Sequence, residues 1–117
     1  MARSIDQPFR YTEAVRNRLL ESAVMPDLPA LAQRMYLTAR TLQRRLRAEG
    51  VSFSQVLREA RRERAEQLLS ESRASMEQIA TTLGFGDAVA FSHAFKSWTG
   101  QSPLRWRRKA TAHAAAP

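Results

Sequence analysis

The sequence predicts an all-α protein, with about seven helices forming two helix-turn-helix subdomains joined by a long central helix. Three observations carry this. Apolar residues recur at spacings of three and four, with no period-two alternation to suggest strands. The 4 Gly and 5 Pro of the 117 residues fall at the boundaries between those stretches or at the chain ends. The second half of the chain repeats the pattern of the first.

In order, a first helix is expected from about Glu13 to Ala23 behind Thr12, with Val15, Leu19 and Ala23 inward; Pro26 and Asp27 end it and open the next. Leu28, Leu31, Ala32 and Met35 make an i, i+3, i+4, i+7 stripe on a short second helix. Thr38 can cap a third, with Leu42 and Leu46 inward and Gly50 as its stop. Ser52 and Gln55 have the spacing of a capping box that opens a long helix to about Ser70, with Phe53, Val56, Leu57, Ala60, Leu68 and Leu69 on its apolar side. Ser75 and Gln78 repeat the device ahead of Met76, Ile79, Ala80 and Leu83, and Gly84 ends that helix. Asp87 caps a helix through Trp98. Ser102 and Pro103 start the last one, with proline at the first helical position, where its missing N–H costs nothing. Residues 1–11 are expected to be a linker or disordered. Residues 110–117, "ATAHAAAP", lack an apolar face and read as a flexible tail that includes His113.

Superposing the halves places Leu28 on Met76, Leu31 on Ile79, Ala32 on Ala80 and Met35 on Leu83 at an offset of 48. Leu42 then falls on Phe91 and Leu46 on Phe95 at 49, and Gly50 and Ser52 on Gly100 and Ser102 at 50. The offset drifts only at turns, so the unit repeated is a short helix, a tight turn, a second helix and a glycine stop. A helix pair joined by such a turn, with cations on its second helix, is the arrangement that enters a DNA major groove. The two copies span about 28–49 and 75–99, with the linking helix at about 52–70. About 18 linking residues at 1.5 Å each give roughly 27 Å, near the ~34 Å between major grooves one turn apart.

Charge agrees with a polyanionic partner. The chain has 19 Lys plus Arg against 11 Asp plus Glu, a net charge of +8 and a pI near 11.4. Neutralising phosphates releases condensed counterions, although arginine also accumulates in proteins from GC-rich genomes. No stretch approaches the ~18 apolar residues of a membrane span, and the start has no apolar signal core, so a cytoplasmic protein is expected. The absence of cysteine excludes a disulfide framework, a thiolate metal site and a cysteine nucleophile. A Gly-rich phosphate loop, a metal set and a nucleophile beside a base are also missing. The expectation is therefore no enzyme and no cofactor.

With Leu42 and Leu46 inward, a helical wheel puts Arg40, Arg44 and Arg47 on the opposite face and Gln43 at its edge, with Arg45 on the other flank. In the second copy Phe91, Phe95 and Trp98 point inward, Val89, His93 and Lys96 point outward and Ser92 lies at the edge. These eight outward or edge residues, Arg40, Gln43, Arg44, Arg47, Val89, Ser92, His93 and Lys96, are the candidates for base contact. Arginine can donate a fork to guanine O6 and N7, glutamine pairs with adenine N6 and N7, and valine can touch a thymine methyl. The first copy is the better equipped. Thr38, Arg61, Arg105 and Arg107 are the candidates for phosphate contact, with an ion pair the equal alternative for Arg61. Phe91, Phe95 and Trp98 are expected in the core.

The stretches "LPALAQRMYLTARTLQRRLRAEGVSF" (28–53), "RRERAEQLL" (61–69) and "IATTLGFGDAVAFSHAFKSWTGQSPLRWR" (79–107) together resemble the DNA-binding domain of the AraC/XylS family of bacterial transcription regulators. The resemblance covers about Leu28 to Arg107, within an expected domain of residues 12–109. It implies one protomer binding successive major grooves of promoter DNA, usually activating transcription through RNA polymerase. It also implies a separate N-terminal effector-binding or dimerisation domain, so the chain is either part of a longer regulator or a small single-domain member. Tyr36 departs from the pattern, standing where the family often has a turn glycine, as the second copy has Gly84. Without the resemblance, two other readings stay open. One is a basic helical module docking an acidic protein, and the other is non-specific coating of nucleic acid.

Overall fold

A computed structural model describes the backbone of residues 9–115 and the side chains of residues 9–112. Among the described residues it contains seven helices and no strand: α1 Arg10–Glu21, α2 Leu28–Arg34, α3 Ala39–Ala48, α4 Phe53–Glu71, α5 Met76–Leu83, α6 Ala88–Thr99 and α7 Pro103–Ala115. The described residues form two compact units divided between Ala60 and Arg61, and α4 begins in the first and ends in the second.

In the first unit, Val15, Leu19, Met25, Leu31, Ala32, Leu42, Leu46, Val56 and Ala60 are buried. Asp27 accepts the amide of Ala30 at 3.0 Å to start α2, and Thr38 accepts that of Thr41 at 3.1 Å to start α3. At the start of α4, Ser52 Oγ accepts from Gln55 N at 3.2 Å while Gln55 Oε1 accepts from Ser52 N at 2.8 Å, which closes the expected capping box.

Two expectations for α1 change. The helix starts at Arg10, ahead of Thr12, because its exposed amides are satisfied from a distance. The Glu49 carboxylate, at the C-terminus of α3, accepts from Tyr11 N at 2.9 Å, from Thr12 N at 2.8 Å and from the Thr12 hydroxyl at 2.6 Å. Ala23 is exposed, because α1 ends at Glu21 and the backbone turns extended at Ser22; Met25 and Pro26 are buried in its place.

The second unit uses the same devices on an aromatic core. Ser75 and Gln78 form a complete capping box, and Asp87 accepts the amide of Ala90 at 2.8 Å. Phe91 and Phe95 are fully buried with ring centroids 5.8 Å apart; Phe85, Trp98 and Trp106 complete the cluster at 6.0–6.3 Å from their neighbours. Phe91 and Phe95 are core, as expected, whereas Trp98 is half-buried against them. Ser102 Oγ accepts from Arg105 N at 3.2 Å behind Pro103 at the first position of α7. That helix continues through Ala115, past residue 110 where a tail was expected. Alanine-rich sequence supports helix by intrinsic propensity even without an apolar face. The expected linker lies outside the described residues up to residue 8, as do residues 116–117 and the His113 side chain.

Both helix pairs turn identically. Residues 35–38 separate α2 from α3 and residues 84–87 separate α5 from α6. Leu37 N donates to Ala32 O at 2.9 Å, and Phe85 N to Ala80 O at 2.9 Å, at the repeat offset of 48. Both turns need a left-handed residue, and it is Gly84 at φ +86° in one and Tyr36 at φ +60° in the other. Holding tyrosine there costs about 1 kcal/mol relative to glycine.

Candidate nucleic-acid interface

The surface of α3 is set by its buried face. Leu42 and Leu46 are fully buried, so residues on the opposite side project into solvent. Arg40, Gln43, Arg44 and Arg47 are exposed and together line one shallow cavity on that side. The side chains of these four make no hydrogen bond or ion pair among the described residues. From Leu28 to Ala48 the sequence holds no Asp or Glu. The result is three guanidinium groups and a carboxamide that are free to donate, with no acid beside them in the chain.

Arg45 goes elsewhere, as the wheel placed it. Its guanidinium lies 4.9 Å from the centroid of the Tyr11 ring and donates to the Tyr11 hydroxyl, tying α3 to α1.

On α6 the buried pair Phe91 and Phe95 turns the corresponding positions outward. His93 and Lys96 are exposed, Val89 is 63% exposed and Ser92 is half-buried. This face carries one fixed positive charge, Lys96, against three on α3. Where a groove is to be read, α3 has the stronger chemistry.

The residues picked out for phosphate contact divide. Arg61 donates through Nε to Leu83 O at 2.8 Å and through Nη2 to Gly84 O at 3.3 Å, with its guanidinium 4.1 Å from the Phe85 ring centroid. Burial lowers its pKa below the ordinary arginine value. It remains charged at neutral pH. These contacts brace the carbonyl end of α5, where the helix dipole is negative. Arg107 braces α4 likewise, donating through Nε to Leu69 O at 2.9 Å and through Nη2 to Leu68 O at 3.3 Å and Ser72 O at 3.4 Å. Arg62 donates to Trp98 O at 3.0 Å at the end of α6 and pairs with Glu66 at 3.1 Å. The Thr38 hydroxyl is engaged with both the amide and the hydroxyl of Thr41.

Arg105 is exposed and its guanidinium has no partner among the described residues. Arg108 and Lys109 lie three and four positions on, are exposed, and share its face of α7. The basic run 105–109 as a whole was open to backbone contact, with Arg105 and Arg107 its named candidates. The i, i+3, i+4 spacing of Arg105, Arg108 and Lys109 was the signal that separates them from Arg107, which points inward.

No helix among the described residues is long and apolar enough to cross a membrane. No group of three or more His, Asp or Glu side chains among them could hold a metal ion.

Comparison with known proteins places this surface in context. A family model described as a helix-turn-helix domain matches residues 31–109. The chain is 38% identical over 99 residues to an uncharacterised HTH-type transcriptional regulator of Mycobacterium tuberculosis, covering 84% of this chain and 29% of that protein. It is 39% identical over 82 residues to the HTH-type transcriptional regulator VqsM of Pseudomonas aeruginosa, covering 70% of this chain and 25% of that protein. The chain therefore spans less than a third of the length of either regulator. Among solved structures, the DNA-binding domain of the global transcriptional factor AdpA in complex with a target DNA superposes with a TM-score of 0.71 at 29% identity. That match covers 94% of this chain and 97% of that one.

Proposed function

Since the chain belongs to the AraC-type helix-turn-helix family of transcription regulators, we propose that it binds promoter DNA with α3 and α6 in successive major grooves and activates transcription. The observation that carries this reading is the division among the arginines. Those that brace the fold have carbonyl or aromatic partners, whereas Arg40, Arg44 and Arg47 stand free beside Gln43 on the exposed face of α3.

Arg40, Gln43, Arg44 and Arg47 are the base readers of the first groove, chiefly through bidentate donation to purine edges. Val89, Ser92, His93 and Lys96 face the second. Arg105, joined by Arg108 and Lys109, contacts phosphates, and Thr38 sits at the groove edge with its hydroxyl already committed to the cap. Arg61 and Arg107 drop out of the contact set because their donors hold carbonyl oxygens. The AdpA domain is similar to this chain and was solved in complex with a target DNA, which supports DNA as the partner. RNA polymerase and an N-terminal effector-binding or dimerisation domain are the partners that this reading expects. A DNA-bound regulator would act in the cytoplasm, at the nucleoid.

The test is Arg44→Ala measured on a duplex selected by the wild-type chain. Binding should weaken by about 1–3 kcal/mol, with relaxed preference at one position of the first block. An equal loss on every sequence would make Arg44 a phosphate contact. No loss on any duplex would remove α3 as a reader.

A further inference from the structure

We propose that Tyr36 is an additional DNA contact, its phenol donating a hydrogen bond to a backbone phosphate beside the groove that α3 enters. The inference rests on the reading of α3 given above.

Three observations meet at this residue. Tyr36 is 95% exposed and its ring and hydroxyl have no partner among the described residues. It holds φ +60°, and it is the one non-glycine residue among those described with a positive φ. The equivalent turn in the second unit makes the same backbone hydrogen bonds with Gly84. The turn itself therefore has no use for a side chain. A strained position that keeps a large side chain with no intramolecular contact points to a contact outside the molecule.

Position and charge select the kind of partner. Tyr36 precedes Thr38, the cap of α3, by two residues, at most about 7 Å of chain. In the helix-turn-helix docking mode the N-terminal end of the second helix meets the base edges, so residues just before it lie beside the sugar–phosphate ridge. Arg34 and Arg40 flank the turn, are exposed, and have no carboxylate between them in sequence. A phenol flanked in sequence by two cations suits an anionic oxygen acceptor, and tyrosine is a regular phosphate donor in protein–DNA complexes. Such a contact fixes register on the duplex and carries no base preference of its own.

Tyr36→Phe and Tyr36→Asn separate the possibilities. Phenylalanine removes only the hydroxyl, and asparagine tolerates the left-handed backbone. Affinities are measured by fluorescence anisotropy on a duplex enriched from a random pool and on a scrambled duplex, with thermal unfolding as the check on folding. Both variants should fold and should lose affinity on both duplexes by about the same factor, on the order of tenfold for a hydrogen bond to a charged acceptor. Wild-type affinity in both variants overturns the assignment while leaving α3 as the reader. So does unchanged affinity with reduced transcription from the target promoter, which makes Tyr36 a protein contact. A wild-type chain that enriches no duplex overturns the reading of α3, and the Tyr36 assignment with it.

Discussion

Arg105 and Arg107 are two residues apart on α7 and have opposite uses. Arg105 is exposed with its guanidinium unpartnered among the described residues, whereas Arg107 gives two nitrogens to three carbonyls at the end of α4. Sequence proximity to other cations could not separate them, because "RWRRK" (105–109) reads as one basic run. The cue was local to α4. That helix ends at Glu71 with no glycine after it; Leu68 O is met locally by Ser72 N and Oγ, while Leu69 O takes its donor from Arg107. Arg107→Met keeps the aliphatic stem and removes the donors. It should cost about 1–2 kcal/mol of stability in chemical denaturation and leave the salt dependence of DNA binding unchanged. Arg105→Ala should do the reverse, with little change in stability and a log–log salt slope reduced by about one. An unchanged slope for Arg105→Ala removes that residue from the phosphate set.

At the scale of elements, the caps and stripes were legible and their long-range partners were not. The buried stripe pairs Leu31 with Ile79, Ala32 with Ala80, Leu42 with Phe91 and Leu46 with Phe95 follow the repeat, and the caps Asp27, Thr38 and Ser52 recur as Ser75, Asp87 and Ser102. These signals are local, within one or two helical turns, which is why the pattern exposes them. The start of α1 was misplaced because its cap comes from Glu49, 37 and 38 residues away from the amides that it serves. Glu49→Ala should therefore destabilise the first unit by about 1–2 kcal/mol and fray α1, seen as faster hydrogen exchange at Tyr11 and Thr12. Unaltered exchange there would show the cap to be dispensable. The turn makes the complementary prediction: Tyr36→Gly relieves the left-handed strain and should raise stability by about 1 kcal/mol. A lower denaturation midpoint would contradict that account of the turn.

Across the whole molecule, the duplication distributes function unequally. The first unit presents Arg40, Gln43, Arg44 and Arg47, while the second presents Val89, Ser92, His93 and Lys96 over a cluster of five aromatic rings centred on buried Phe91 and Phe95. The outward faces were readable because a helix that buries two residues four apart fixes where the others point. Which outward residue touches a base depends on the duplex and is not encoded in periodicity. The most direct measurement is selection from a pool of random duplexes followed by sequencing. The proposed mode predicts two short conserved blocks with centres about one helical turn apart, the one facing α3 the more strictly conserved. Enrichment of no sequence, or of a single block that survives removal of every cation on α3, would contradict it.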